Sequence, residues 1–199
     1  VSGKPQYDES AVIASAMLVF WRHGYAAASI NDLTAATGLS RSSLYQRFGD
    51  KQGLFHAAVT HYTERVLRRM HQVDAGTARG RVEALLRDFL PKKSATPRPA
   101  GCMLARSCAE KADLPDAAQA AVAAGVAGQQ AIFARILTQA QDADELPRGT
   151  DAELLAWYYL GMLHAVMNLP QAGATPAQMA GMIDIAMSAW PAVTPALRP

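Results

Sequence analysis

The sequence predicts an all-helical protein. Alanine is abundant, β-branched residues are sparse, and apolar residues recur at three- and four-residue spacings along nearly the whole chain. No alternating run rich in valine, isoleucine and threonine is long enough to argue for a strand. Hydrophobic residues make up 50% of the 199, enough for a sizeable core and unlike a disordered composition.

Taken in order, Ile13, Ala16, Met17 and Phe20 form one face of a first helix that Gly24 ends. Ser29, three residues before Asp32, makes a capping-box start for a short helix through Thr37, and Gly38 stops it. Ser40 caps a second short helix that carries Leu44, Tyr45 and Phe48 and closes at Gly49-Asp50. Lys51 opens a longer helix to about His71, with Leu54, Phe55, Ala58, Val59, Tyr62, Val66 and Met70 on its apolar side. A loop is expected over 74–80, then a helix from Arg81 to Leu90, halted by Pro91. Residues 92–99 read as a basic, proline-containing linker. Further helices are expected from about Gly101, over 115–143, over 151–169 and over 176–190. The tail from Pro191 to Pro199 holds three prolines and is expected to fray.

Charge, cysteines and hydropathy narrow the function. The formal net charge is +2; residues 1–70 carry eight Lys/Arg against five Asp/Glu, and residues 71–199 eleven against twelve. A mildly basic N-terminal part on a neutral body is compatible with contact to DNA. Two cysteines, Cys102 and Cys108, make neither a disulfide framework nor a self-contained zinc site, and they suit a reducing compartment. The N-terminal residues show no apolar secretory segment, and the uncharged stretch 154–183 is broken by Pro170, Gly173 and Pro176. The chain therefore reads as soluble and cytoplasmic. No G-x-S-x-G, P-loop, H-E-x-x-H or C-x-x-C pattern appears, which argues against an enzyme and calls for no cofactor or metal. Asp142, Asp144 and Glu145 cluster, but beside Pro147-Arg148-Gly149 they read as a solvated loop.

The informative segment is SINDLTAATGLSRSSLYQRFGDK, residues 29–51. It encodes two short helices joined by a tight turn at Gly38, the arrangement of a helix-turn-helix. Leu33, Ala36, Leu39, Leu44 and Phe48 are placed to pack the pair against the first helix. On the second short helix, Arg41, Ser42, Ser43, Gln46 and Arg47 can hydrogen-bond base edges or phosphates.

With Ile13, Ala16, Phe20, Gly24-Tyr25, Ser29, Leu33, Gly38-Leu39-Ser40, Leu44-Tyr45, Phe48, Lys51 and Leu54 at these spacings, residues 13–54 resemble the DNA-binding region of the tetracycline-repressor (TetR/AcrR-like) family. The resemblance implies a three-helix DNA-binding domain over 8–55 and a helical ligand-binding and dimerisation domain over 56–190. By position, Ser29 would cap the first short helix near a phosphate. Arg41, Ser42 and Ser43 would face bases, while Tyr45 and Lys51 would reach phosphates; Gln46 and Arg47 complete the contact set. Four residues depart from the pattern. Thr34 stands for a usual alanine, Ser42 for a frequent glycine, Arg47 for a frequent aromatic and Gly53 for an ordinary helix former.

The resemblance further implies a dimeric repressor on a near-palindromic operator, released when a small-molecule inducer enters the body and shifts the helix from Lys51 to about His71. Candidate lining residues are Phe89, Cys102, Met103, Leu104, Phe133, Ile136, Leu137, Trp157, Tyr158 and His164. Ordinary core packing is the competing role for each. The GCMLARSCAE segment resembles a glycine-cysteine opening in a branch of the family that includes sensors of electrophiles or oxidants. Cys102, near a helix N-terminus and close in sequence to Arg98 and Arg106, is expected to have a lowered pKa if it reacts. Its competing role is that of a small buried hydrophobe. A bridge to Cys108 within one helix would span about 9 Å of rise, beyond the roughly 7 Å that a disulfide tolerates.

For pairing, residues 154–183 carry no charge and Asp184 is the only one from there to Trp190, so two helices lack a charged outer face. Trp157, Leu160, Gly161, His164, Met167, Met179, Met182, Ile185, Ala186 and Trp190 are candidates for a two-fold interface. The alternatives are a thiol-based repressor using Cys102 and a helical ligand-binding protein without DNA contact. Arg41, Tyr45 and Lys51 speak against the latter.

Overall fold

The computed structural model describes residues 7–92 and 98–192. The core of the predicted linker and the end of the predicted fraying tail lie outside them. The elements are α1 (Glu9–His23), α2 (Ile30–Thr37), α3 (Arg41–Phe48), α4 (Lys51–Gln72), α5 (Ala78–Asp88), α6 (Met103–Ala109), α7 (Asp116–Asp142), α8 (Ala152–Asn168) and α9 (Pro176–Ser188). Short 3-10 turns cover Lys111–Asp113 and Leu169–Ala172, and no strand occurs among the described residues.

The chain divides into two compact units. One holds residues 7–66 with 98–126, the other residues 67–92 with 127–192. α4 and α7 contribute to both. The expected division at residues 55 and 56 follows the motif, whereas the compact units group most of α4, α6 and the start of α7 with the N-terminal helices.

In the first unit, local signals set each helix end. Asp8 caps α1, and its carboxylate accepts from Ser10 N. Gly24 closes α1 at φ +82°, where side-chain-bearing residues are strained. Gly38 closes α2 in the left-handed region. The buried face of α1 is Val12, Ala16, Met17 and Phe20. The expected Ile13 is only half-buried, because the core-facing stripe begins one residue earlier. Phe55 of α4 meets Phe20 edge-on at 5.0 Å and Tyr25 at 5.0 Å, and Trp21 meets Tyr62 edge-on at 5.0 Å. Such aromatic pairs add about 0.5–1.5 kcal/mol each beyond the area they bury. Leu33 and Leu44 are buried as expected, whereas Ala36 is exposed. The one apolar contact that α2 needs at its centre is made by Leu33.

In the second unit, α5 begins earlier than the sequence suggests. Thr77, not a residue near Arg81, is its cap, and Thr77 Oγ1 accepts from Gly80 N at 3.0 Å. Glu145 secures the same end by accepting from Ala78 N at 2.7 Å. α5 packs on α8 and α9, and Arg87, paired with Glu83 within α5, ties the helix to Asp184 of α9. Asp184 thus lies in an ion pair within the subunit. Tyr159 is fully buried, between Phe133 (6.3 Å) and Trp190 (6.2 Å). One described helix, α7, is long and apolar enough by composition to cross a membrane, but 44% of its most apolar stretch is buried inside the fold. Its residues Ile132, Phe133, Ile136, Leu137 and Ala140 build the core of this unit.

Candidate nucleic-acid interface

Of the residues expected to meet DNA, Ser29 caps α2, Arg41 to Arg47 lie on α3 and Lys51 opens α4. At the start of α2, the Ser29 hydroxyl accepts from Asp32 N at 3.1 Å, while the Asp32 carboxylate accepts from Ser29 N at 3.0 Å and from the Ser29 hydroxyl at 2.6 Å. These bonds hold the Asp32 carboxyl below its ordinary value. A completed box of this kind satisfies two backbone donors at the helix start, which matters in a helix of two turns.

The start of α3 is a cluster of hydroxyls. Ser40 Oγ accepts from Ser43 N at 3.1 Å and stands 2.9 Å from the hydroxyls of both Ser42 and Ser43. Leu44 is buried and Phe48 half-buried, so α3 is anchored along one side. Its other side carries Arg41, Ser42, Tyr45, Gln46 and Arg47, all exposed; Ser43 is half-buried. The Arg41 guanidinium lies 5.8 Å from the Tyr45 ring centre, and Tyr45 is 37% exposed.

Two of the expected cations are already engaged. Lys51 Nζ donates to Ala26 O at 3.3 Å and sits 4.6 Å above the Tyr25 ring, and burial pushes its ammonium below the ordinary lysine value. Arg47 forms a two-point pair with Glu9, Nε to Oε2 at 2.7 Å and Nη2 to Oε1 at 2.6 Å. Glu9 was not among the sequence candidates, since no local spacing links it to Arg47. The junction between α3 and α4 is close-fitted at Gly53, where a Cβ would stand 2.0 Å from the Phe48 carbonyl oxygen. The departure of Gly53 from the family pattern thus has a packing reason.

The candidate sensing residues fall in different places. Cys102 and Met103 are in the first unit, both 1% exposed. Cys102 is the residue before α6, and Tyr62 Oη donates to its sulfur at 3.5 Å. The expected lowering of its pKa is not what the structure yields. Burial raises the thiol, outweighing the hydrogen bonds from Tyr62 and from the backbone of Ala105 and Leu104.

In the second unit, Phe89, Phe133 and Leu137 are core residues, and Arg69 stacks over Phe89 at 4.1 Å. Trp157 and Tyr158 face outward, 50% and 39% exposed. His164 pairs through Nε2 with Gln129 Oε1 at 3.0 Å, and burial lowers its pKa. Sequence reasoning missed Gln129 and Gln130, both buried on α7; Gln130 donates to Glu153 at 2.7 Å. Of the candidate interface residues, Trp157, Gly161 and Ile185 are exposed, and His164, Met167, Met182 and Trp190 are half-buried. Leu160, Met179 and Ala186 are buried within the subunit and leave a partner almost no surface to touch. The exposed Leu154, at 66%, extends the same apolar stripe.

A helix-turn-helix head with one exposed polar helix, followed by a helical regulatory region, defines a one-component transcriptional regulator. The chain belongs to the tetracycline-repressor family. The family model "Bacterial regulatory proteins, tetR family" matches residues 12–58, and "Tetracyclin repressor-like, C-terminal domain" matches residues 78–186. It is 28% identical over 196 residues to the HTH-type transcriptional repressor ComR of Escherichia coli (strain K12), covering 95% of this chain and 92% of ComR. Among solved structures it is similar to a cysteine mutant of the TetR family regulator CifR complexed with 26-bp double-strand operator DNA. That match has a TM-score of 0.83 at 27% identity, covering 95% of this chain and 100% of the other. A TetR family regulator from Cytophaga hutchinsonii shares the fold, with a TM-score of 0.78 at 21% identity over 92% and 95% of the two chains.

Proposed function

We propose that the protein is a homodimeric transcriptional repressor that holds a near-palindromic operator through α3 and lets go when a small-molecule inducer binds its helical body. The observation that carries this reading is the exposed side of α3. Arg41, Ser42, Tyr45 and Gln46 project from a short helix that is capped at one end and anchored by Leu44 on its inner side. Arginine and glutamine can take base edges bidentately, and the serines and tyrosine can donate to phosphates. Residues 8–55 are the DNA-reading head and residues 56–190 the regulatory part.

Pairing through α8 and α9 is supported by Leu154, Trp157, Tyr158 and Ile185, large apolar side chains exposed at 66%, 50%, 39% and 72%. A two-fold pair places two copies of α3 at successive major grooves. The candidates for the inducer site within the second unit are Phe89, Phe133, Leu137 and His164; Cys102 and Met103 lie in the first unit, and Trp157 and Tyr158 serve the pairing face. The thiol-sensing alternative has the burial of Cys102 against it.

The reading is tested by footprinting the purified protein on DNA flanking its own gene, then titrating salt. A protected near-palindrome whose binding weakens steeply with salt supports the reading. Equal binding to all sequences, or none, overturns it. A release screen with candidate metabolites on the protected duplex then tests the inducer.

A further inference from the structure

Arg47 stands in the last turn of α3 and Glu9 in the first turn of α1, 38 residues earlier. The guanidinium meets the carboxylate side-on, with bonds of 2.7 and 2.6 Å. Two parallel charge-assisted bonds are the most favourable geometry these groups share. Each group also sits at the helix end whose dipole suits its charge. The pair lies on the surface, with side chains 52% and 36% exposed, so water and ions can compete for it. It is well formed yet open to exchange.

Free on that last turn, Arg47 would be a ligand for backbone phosphate. Phosphate contacts release counterions and strengthen binding to every sequence alike, while base contacts discriminate. In the pair with Glu9, Nε and Nη2, the donors of the side-on fork, are taken and the charge is neutralised. The Glu9 carboxylate spends both oxygens on Arg47, while Arg41, Ser42 and Gln46 lie exposed on α3.

We propose that Glu9 is a specificity-determining residue: it withholds Arg47 from the DNA backbone and so keeps affinity for random sequence low. The inference rests on α3 entering DNA, as proposed above. Glu9 acts through Arg47 and touches no base. A sequence-blind cation is masked, and the contrast between operator and bulk DNA rises.

The test is an anisotropy titration of the full-length protein on the footprinted operator and on a scrambled duplex of equal length, between 50 and 200 mM salt. Wild type, Glu9→Gln, Arg47→Ala and the double variant form a cycle. Glu9→Gln is expected to bind the scrambled duplex several-fold tighter, with the slope of log K against log salt steeper by about 0.9, one added phosphate contact. In the Arg47→Ala background the same Glu9 change is expected to leave the slope where it was. Arg47→Lys, which keeps the charge without the two-point fork, is a second route to release and is expected to steepen the slope as well.

An unchanged slope in Glu9→Gln overturns the proposal. So does a slope that steepens equally with and without Arg47, since the effect would then be simple removal of a repelling charge. A wild type that shows no salt-dependent preference for the operator fails the regulator reading itself. A wild type that prefers the operator beside an unresponsive Glu9→Gln fails only this inference.

Discussion

The carboxylate of Glu110 closes the turn after α1: its Oε2 accepts from Tyr25 N at 2.9 Å, although the two residues are 85 apart in sequence. Gly24 makes this possible, for a Cβ at that position would stand 2.1 Å from Glu110 Oε1. Arg106, one turn back on α6, donates from Nε to the same oxygen at 3.1 Å. The end of α6 is thereby fastened to the turn after α1.

Gly24→Ala is expected to destabilise the protein by about 1–3 kcal/mol, from positive-φ strain and from displacement of the carboxylate. Urea unfolding measures it. Glu110→Ala made together with Gly24→Ala should cost less than the sum of the two single changes, because the steric part needs both partners.

Tyr45→Phe removes one exposed hydroxyl and leaves the ring in place. Operator affinity is expected to fall about 5- to 10-fold, the loss of one hydrogen bond of about 1–1.5 kcal/mol, with the melting temperature unchanged. Lys51→Ala is expected to flatten the salt slope by about 0.9. It should also lower stability slightly, since Lys51 holds Ala26 and Tyr25. Anisotropy and thermal melting separate the two effects.

Thiol labelling should discriminate sharply between the cysteines. Cys108 is on the surface, whereas Cys102 is 1% exposed and its thiol is raised by burial. Mass spectrometry after brief treatment with iodoacetamide at neutral pH is expected to find Cys108 modified at least about ten times faster, because burial raises both thiols but only Cys102 is closed to the reagent. Cys102→Ser is expected to retain operator binding and release by inducer. Loss of release in that variant would revive thiol sensing.

His164 links stability to pH. Its folded pKa is depressed, so the unfolded chain binds the extra proton more readily. The neutral residue's contribution is full above the unfolded value of about 6.5 and is lost as pH falls toward the folded value. Thermal melting of wild type is expected to decline as pH drops below about 6.5, and His164→Gln to decline less over the same window. Equal slopes would contradict this.

Trp157→Glu and Ile185→Glu place charge on the exposed apolar face of α8 and α9. Each is expected to shift the protein from dimer to monomer in sedimentation and to weaken operator binding, with helix content unchanged by circular dichroism.

The sequence was most legible where structure is local. The Ser29–Asp32 box, the Gly38 stop and the Ser40 cap operate over three or four residues, and each is found where its spacing put it. The exposed face of α3 follows from the same short-range pattern. Register was less legible: the buried stripe on α1 contains Val12 rather than Ile13, since both are apolar and only tertiary packing chooses. Thr77 was hidden because the residues after it, Ala78, Arg79 and Gly80, show no apolar period. Gln129 and Gln130 look like surface residues until α8 supplies His164 and Glu153. Long-range pairs such as Glu9–Arg47 and Glu110–Tyr25 leave no spacing to read. Their partners meet only after the helices have packed.

The absent methyl at Gly53 also bears on how such a protein can change its target. Phe48, whose carbonyl fills that space, is the final residue of α3, so the angle at which α3 meets α4 depends on an atom that is not there. A descendant that acquired alanine at this spot would have to displace Phe48 and the end of α3, and on the proposed reading its side chains would then meet DNA differently. Operator preference could then drift over generations with every base-touching residue intact.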